Sequence, residues 1–176
     1  MSPISYQGPM ASDDADAHTH SQTKEGNLGV GQPGLTVATI LGHKGDEVHT
    51  VTPHTTVKEV VAELTRLRIG ALLVVDSSNE AVGIVSERDV VRNADIKGLS
   101  VFDGPVEDIM TPNPQTCGLE DKVETIMKQM TDGRFRHLPV IQDGKPCGLV
   151  SIGDVVRHRM MEIEYENLKM KQAMVG

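Results

Sequence analysis

The sequence predicts an α/β fold built from two copies of one β-α-β-β-α unit, facing each other about a pseudo-twofold axis. Three observations predict it. First, Val57, Val60, Val61 and Leu64 have the i, i+3, i+4, i+7 spacing of a helix face, and Val123, Ile126, Met127 and Met130 repeat it 66 positions later (57 to 123, 64 to 130). Second, the register extends beyond the helix. An offset of 66 carries Thr50 to Thr116, Leu72 to Leu138 and Val74 to Val140, and after one loop an offset of 65 carries Gly83 to Gly148, Ser86 to Ser151 and Asp89 to Asp154. A register kept through strand, helix, strand and turn is duplication. Third, a unit of about 50 residues with one two-sided sheet buries too little apolar surface alone, so the two sheets are expected to pair around a shared core.

In the first copy, Val48 to Val51 reads as a short strand. Thr56-Val57-Lys58-Glu59 is a capping box that opens a helix running to about Arg68. Ala71 to Val75 is a continuous aliphatic run, as a buried strand requires. Ser77 to Glu80 turns the chain, Ala81 to Val85 returns it, and Ser86-Glu87-Arg88-Asp89 caps a second helix. The second copy follows with Gln115 to Cys117, a helix from about Asp121, His137 to Ile141, the turn Asp143-Gly144, Pro146 to Val150, and a helix from Ser151 toward Met174. Val37 with Ile40, and Val106 with Ile109, predict a short lead-in helix before each copy. The expected organisation is a disordered tail over 1–34, one repeat over 35–98, and a second over 99–176 that ends in a helical extension.

Composition narrows the function. Of 176 residues 38% are hydrophobic but only 2% aromatic, so the core is built from Val, Ile, Leu and Met. A net charge of −8 argues against a general nucleic-acid binder, which needs a basic face. Cys117 and Cys147 are the only cysteines, too few for a disulfide scaffold and lacking a CxxC pair for zinc. Both are expected as inert thiols in buried strands. No apolar run reaches the length of a membrane span, and the N-terminus lacks the pattern of a signal peptide, so a cytoplasmic location is expected.

No arrangement of residues points to catalysis. The seven histidines show no HExxH or similar ligand spacing, and no GxxxxGK[ST] cradle is present. Gly29 to Gly34 spells GxGxxG, but its approach is polar and Pro33 removes an N–H that a phosphate would need. The expectation is no enzyme, no metal and no catalytic cofactor.

The stretches that carry chemistry are the two Gly-h-h-Ser-x-x-Asp turns (h, aliphatic) at Gly83 to Asp89 and Gly148 to Asp154. Each glycine permits a close backbone approach. Ser86 and Ser151 stand where a helix begins, so free N–H groups and the positive dipole end favour an anion. Asp89 and Asp154 follow one turn later, and a carboxylate's acceptor oxygens match the two hydroxyls of a ribose. The same Ser-x-x-Asp is also an ordinary capping box. Thr50, Thr116, Thr52, Thr55 and Thr56 read either as lining for such a pocket or as strand and cap formers. Arg136-His137 stands where the first copy has Gly70-Ala71, with Arg134 close by. Arg136 can fork two hydrogen bonds to a phosphate and His137 adds a pH-dependent charge, or both sit at a solvated strand end. Ile152-Gly153 replaces Glu87-Arg88, and Cys117-Gly118 replaces Val51-Thr52, which weakens transfer of roles between the copies.

Taken together these stretches resemble the cystathionine-beta-synthase-type (CBS) repeat family, and the pair resembles a Bateman module of the small stand-alone bacterial kind. The resemblance rests on Thr50-Val51-Thr52-Pro53, Gly70 to Asp76 and Gly83 to Asp89, and on Met110-Thr111-Pro112, Arg136 to Val140 and Gly148 to Asp154. It covers about Leu35 to Arg159. It implies AMP, ATP or NAD held in the two clefts between the repeats, with Thr50, Thr52, Thr55, Ser86, Asp89, Thr116, Arg136, His137, Ser151 and Asp154 as the binding residues. It further implies a regulatory or signal-transducing role and a homodimer formed through helices. The alternative is a ligand-independent dimerisation or protein-interaction module. For it, Met161, Tyr165 and Leu168 form a stripe at i, i+4 and i+7.

Overall fold

A computed structural model describes residues 35–45 and 47–175. The expected tail, the GxGxxG stretch, His18 and His20 lie outside the described residues. The chain runs α1 (Val37–Lys44), β1 (Thr50–Val51), α2 (Val57–Leu67), β2 (Ala71–Val75), β3 (Ala81–Ser86) and α3 (Glu87–Lys97). It continues through two 3-10 turns at Gly98–Asp103 and Val106–Asp108 to β4 (Thr111–Pro112), α4 (Val123–Gly133), β5 (His137–Gln142), β6 (Lys145–Ser151) and α5 (Ile152–Val175).

Local chemistry sets the boundaries. Thr56 caps α2 reciprocally, its Oγ1 accepting from Glu59 N while Glu59 Oε2 accepts from Thr56 N. Both middle helices stop at a left-handed arginine, Arg68 (φ 55) and Arg134 (φ 56). The β2–β3 turn is held by Asp76 Oδ1, which accepts from Ser78 N and Glu80 N at 2.9 Å. Asp143 and Gly144, at φ 51 and 78, supply the two positive dihedrals of a tight hairpin between β5 and β6.

The first sheet has the order β1-β2-β3-β4, with β1 parallel to β2 and the others antiparallel. The second is the β5–β6 hairpin, flanked by a parallel bridge between Cys117 and Val140. That bridge is the counterpart of Val51 beside Val74, so the predicted strand at 115–117 shrinks to one paired residue.

Two buried clusters form, where the sequence reading expects one shared core. One gathers Val57, Val60, Leu64, Leu72, Val74 and Val85 with Val101, Val106 and Ile109. The other gathers Ile126, Met130, Leu138, Val140, Val150 and Val155 with Val37, Ile40 and Leu41. Each lead-in therefore packs in the core of the opposite copy. The backbone repeats the exchange bond for bond. Val37 N donates to Asp121 O, Ala38 N to Leu119 O, and Leu35 O accepts from Val123 N. In the other half, Val106 N donates to Thr55 O, Glu107 N to Pro53 O, and Gly104 O accepts from Val57 N. What the halves share is thus these lead-ins. The first is the full helix α1, while the second is a single 3-10 turn at Val106–Asp108.

The exchange also explains Gly83 and Gly148. A Cβ on Gly83 would lie 2.3 Å from Met110 Sδ, and one on Gly148 would lie 2.5 Å from Leu41 Cδ1. The close approach at both glycines is made by a lead-in side chain.

Candidate functional site

The β5–β6 register sets His137 beside Ser151, and Ile152 N donates to Arg136 O at 2.8 Å. Arg136, His137, Ser151 and Asp154 therefore meet at one end of the second sheet. The first copy has the same frame. Ala71 pairs with Ser86, and Glu87 N donates to Gly70 O.

Both Ser–Asp boxes are formed. Ser86 N and Oγ donate to Asp89 Oδ2 at 3.0 and 2.7 Å, and Ser151 N and Oγ donate to Asp154 Oδ2 at 2.9 and 2.7 Å. One carboxylate oxygen thus fixes the helix start and leaves the other outside the box. Asp89 Oδ1 accepts from Arg92 at 3.1 Å, while Asp154 Oδ1 has no hydrogen-bond partner among the described residues. Burial works to raise the Asp154 pKa, but hydrogen bonds from Lys44 and Ser151 outweigh it and hold the carboxyl below its usual value.

His137 stands at the junction of the copies. A Cβ on Gly70 of the first copy would lie 3.4 Å from the His137 ring. Its pKa is lowered, first by burial and then by the charge of Lys44, while Asp154 and Asp89 oppose the shift. One histidine thus feels the carboxylates of both copies. Nearby, an open cavity of about 250 Å³ brings Arg88 of the first copy to Arg134, Arg136 and Phe135 of the second. None of these three guanidinium groups forms an ion pair among the described residues.

The threonines divide. Thr50 lies opposite Leu73 within the sheet, and Thr116 directly precedes the bridge at Cys117. Thr52 and Thr55 bond to each other, with Thr52 N donating to Thr55 Oγ1 at 3.2 Å. Because β1 runs parallel to β2, the chain beyond Val51 leads away from the Ala71–Ser86 end. Register therefore places Thr52 and Thr55 toward the hairpin-turn end of the sheet, away from the Ala71–Ser86 end. The parallel neighbour of the Ala71 end is the stretch before β1, where His49 O accepts from Leu73 N.

Three residues escaped the sequence reading. Asn93 Nδ2 donates to Asp89 O, and His158 Nδ1 lies 2.9 Å from Asp154 O. Both are buried and brace the backbone of the aspartate one turn earlier. They sit 65 residues apart, so the repeat offset alone would have paired them. The third is Lys44, whose Nζ lies 2.7 Å from Asp154 Oδ2. Only the exchange of lead-ins brings it there.

Cys117 is buried, and burial pushes its thiol up to about 12. Cys147 is half-buried, more exposed than expected. Among the described residues no group of three His, Cys, Asp or Glu could hold a metal ion, and no helix is long and apolar enough to cross a membrane.

Two α/β halves with exchanged lead-ins and matched Ser–Asp helix starts define a tandem-repeat module. The CBS domain model matches residues 44–95 and 106–160, and the chain belongs to the CBS-domain family. It is similar to the mitochondrial CBS domain-containing protein CBSX3 of Arabidopsis thaliana, 43% identical over 106 residues, which are 58% of this chain and 52% of that protein. Against its curated relatives the match spans between 18% and 66% of their own length. Among solved structures it is similar to the CBS-domain protein ATU1752 of Agrobacterium tumefaciens, with 37% identity and a TM-score of 0.69 over 71% of this chain and 99% of that one. It is also similar to CBSX2 solved in complex with AMP, with 28% identity and a TM-score of 0.61 over 73% of this chain and 98% of that one.

Proposed function

We propose that this chain is a regulatory module that binds adenine nucleotides, AMP, ATP or NAD, in the clefts beside its two Ser–Asp helix starts. One observation carries the reading. At each start a partly buried aspartate is held by its serine through one oxygen, which leaves the second outside that box, and Lys44 stands beside Asp154. The second carboxylate oxygens suit ribose hydroxyls, while Lys44, Arg136 and the guanidinium cavity suit phosphate. The AMP complex of CBSX2 supports this choice of ligand. The role follows from architecture: a ligand touching both copies shifts their arrangement by its differential affinity for two states.

Thermal unfolding with AMP, ATP or NAD tests it. A ligand present at 100 times its dissociation constant adds about 2.7 kcal/mol of stability. Asp89→Asn and Asp154→Asn are each expected to weaken one of two sites in calorimetry. No shift with any of the three at millimolar concentration overturns the reading.

A second reading rests on α5. Met160, Met161, Ile163, Leu168, Met170 and Met174 are between 44% and 86% exposed, an apolar face suited to a second copy of the chain. Under it, Met161→Glu with Leu168→Glu converts a dimer to a monomer in sedimentation. A parent that already sediments as a monomer removes it.

A further inference from the structure

The two cleft aspartates meet cations from different elements, and the exchanged lead-ins explain why. Val37 corresponds to Val106, Ile40 to Ile109 and Leu41 to Met110, each 69 residues on, so the counterpart of Lys44 is Asn113. Asn113 N donates to Val82 O, and among the described residues its side chain makes no hydrogen bond to Asp89. Asp89 instead meets Arg92 of its own helix, one turn along, with a side chain that is 61% exposed. Lys44 comes from a different element. Its Nζ bridges Asp154 Oδ2 at 2.7 Å and Leu149 O at 3.0 Å, directly beside the serine-capped start of α5.

A half-exposed ion pair of this kind contributes little to stability, and it yields readily to a competitor. A ribose that takes Asp154 competes with this ammonium for the carboxylate. The displaced cation then stays in the cleft with one carbonyl and no counter-charge. A ligand that carries its own phosphate supplies that charge, and an uncharged nucleoside does not.

We infer that Lys44 makes the cleft of the second copy selective for phosphorylated nucleosides over free nucleosides, a selectivity that the cleft of the first copy lacks. This inference rests on the nucleotide reading given above and assigns a specificity to one of its two sites.

The test is calorimetry with AMP and with adenosine on the full chain, its Lys44→Met variant and its Lys44→Arg variant. In the parent, one of two sites is expected to prefer AMP over adenosine. Lys44→Met is expected to reduce that preference about tenfold, as loss of a charge-assisted hydrogen bond implies, with adenosine binding gaining and AMP binding losing. Lys44→Arg is expected to keep it, which separates the charge from any packing effect of the substitution. A Lys44→Met protein that retains the parent's AMP-to-adenosine ratio at both sites overturns the inference while leaving the nucleotide reading intact. A parent that binds neither compound overturns the nucleotide reading itself, and this inference with it.

Discussion

At the scale of single residues, the junction histidine links structure to pH. Burial and the neighbouring Lys44 hold His137 below its usual 6.5 in the folded chain, against Asp154 and Asp89. The unfolded chain therefore binds this proton more readily than the folded one. The linked stability is present above the unfolded value and is lost as pH falls below about 6.5. His137→Gln is expected to flatten that dependence between about pH 5 and 7, read as the midpoint of urea unfolding at each pH. The same slope in parent and variant would mean that the proton belongs elsewhere. The sequence alone singles out His137, Arg136, Ser151 and Asp154, because a duplicated motif with one altered pair draws attention to the alteration. Lys44 was not legible. The repeat of its lead-in puts Asn113, not a cation, in its place, and its partner Asp154 lies 110 residues away.

At the scale of elements, α1 and the turn at 106–108 are the least self-evident parts. Each is short, and each owes its position to a glycine in the opposite half. The two seats differ in how much they can yield. Gly83 faces the sulfur of an unbranched methionine, which can swing aside. Gly148 faces both methyls and the branch carbon of Leu41, a buried side chain in a packed cluster. Gly148→Ala is expected to cost about 1–3 kcal/mol and Gly83→Ala clearly less, measured by chemical denaturation. Equal costs would show that the two seats are equally tight. Elsewhere the elements follow the local code closely. The aliphatic run Ala71–Val75 is a strand buried along its whole length, and the capping box at Thr56 opens α2 at the next residue.

At the scale of the molecule, the halves are interlocked. The core of the first copy needs Val101, Val106 and Ile109, and that of the second needs Val37, Ile40 and Leu41. A fragment cut at 98 removes part of both. The fragment 99–176 is expected to lack a cooperative unfolding transition alone and to gain one when a peptide spanning 35–45 is added. Cooperative folding of the fragment without the peptide would show that the exchanged helix is dispensable. Under the proposed function this interlocking matters, since a nucleotide that moved one lead-in would move a core residue of the other half.

The sequence by itself determined the fold class, the duplication, most of the helices and strands and the two Ser–Asp helix starts, but not β4 at Thr111–Pro112. These depend on period, offset and capping, all of which are local properties of the chain. The tertiary structure alone decided which copy each lead-in joins, and with it the pairing of Lys44 with Asp154. The reason is physical. The two copies present nearly the same apolar face, so a Val–Ile pair fits either one, and only the path of the chain in space selects between them.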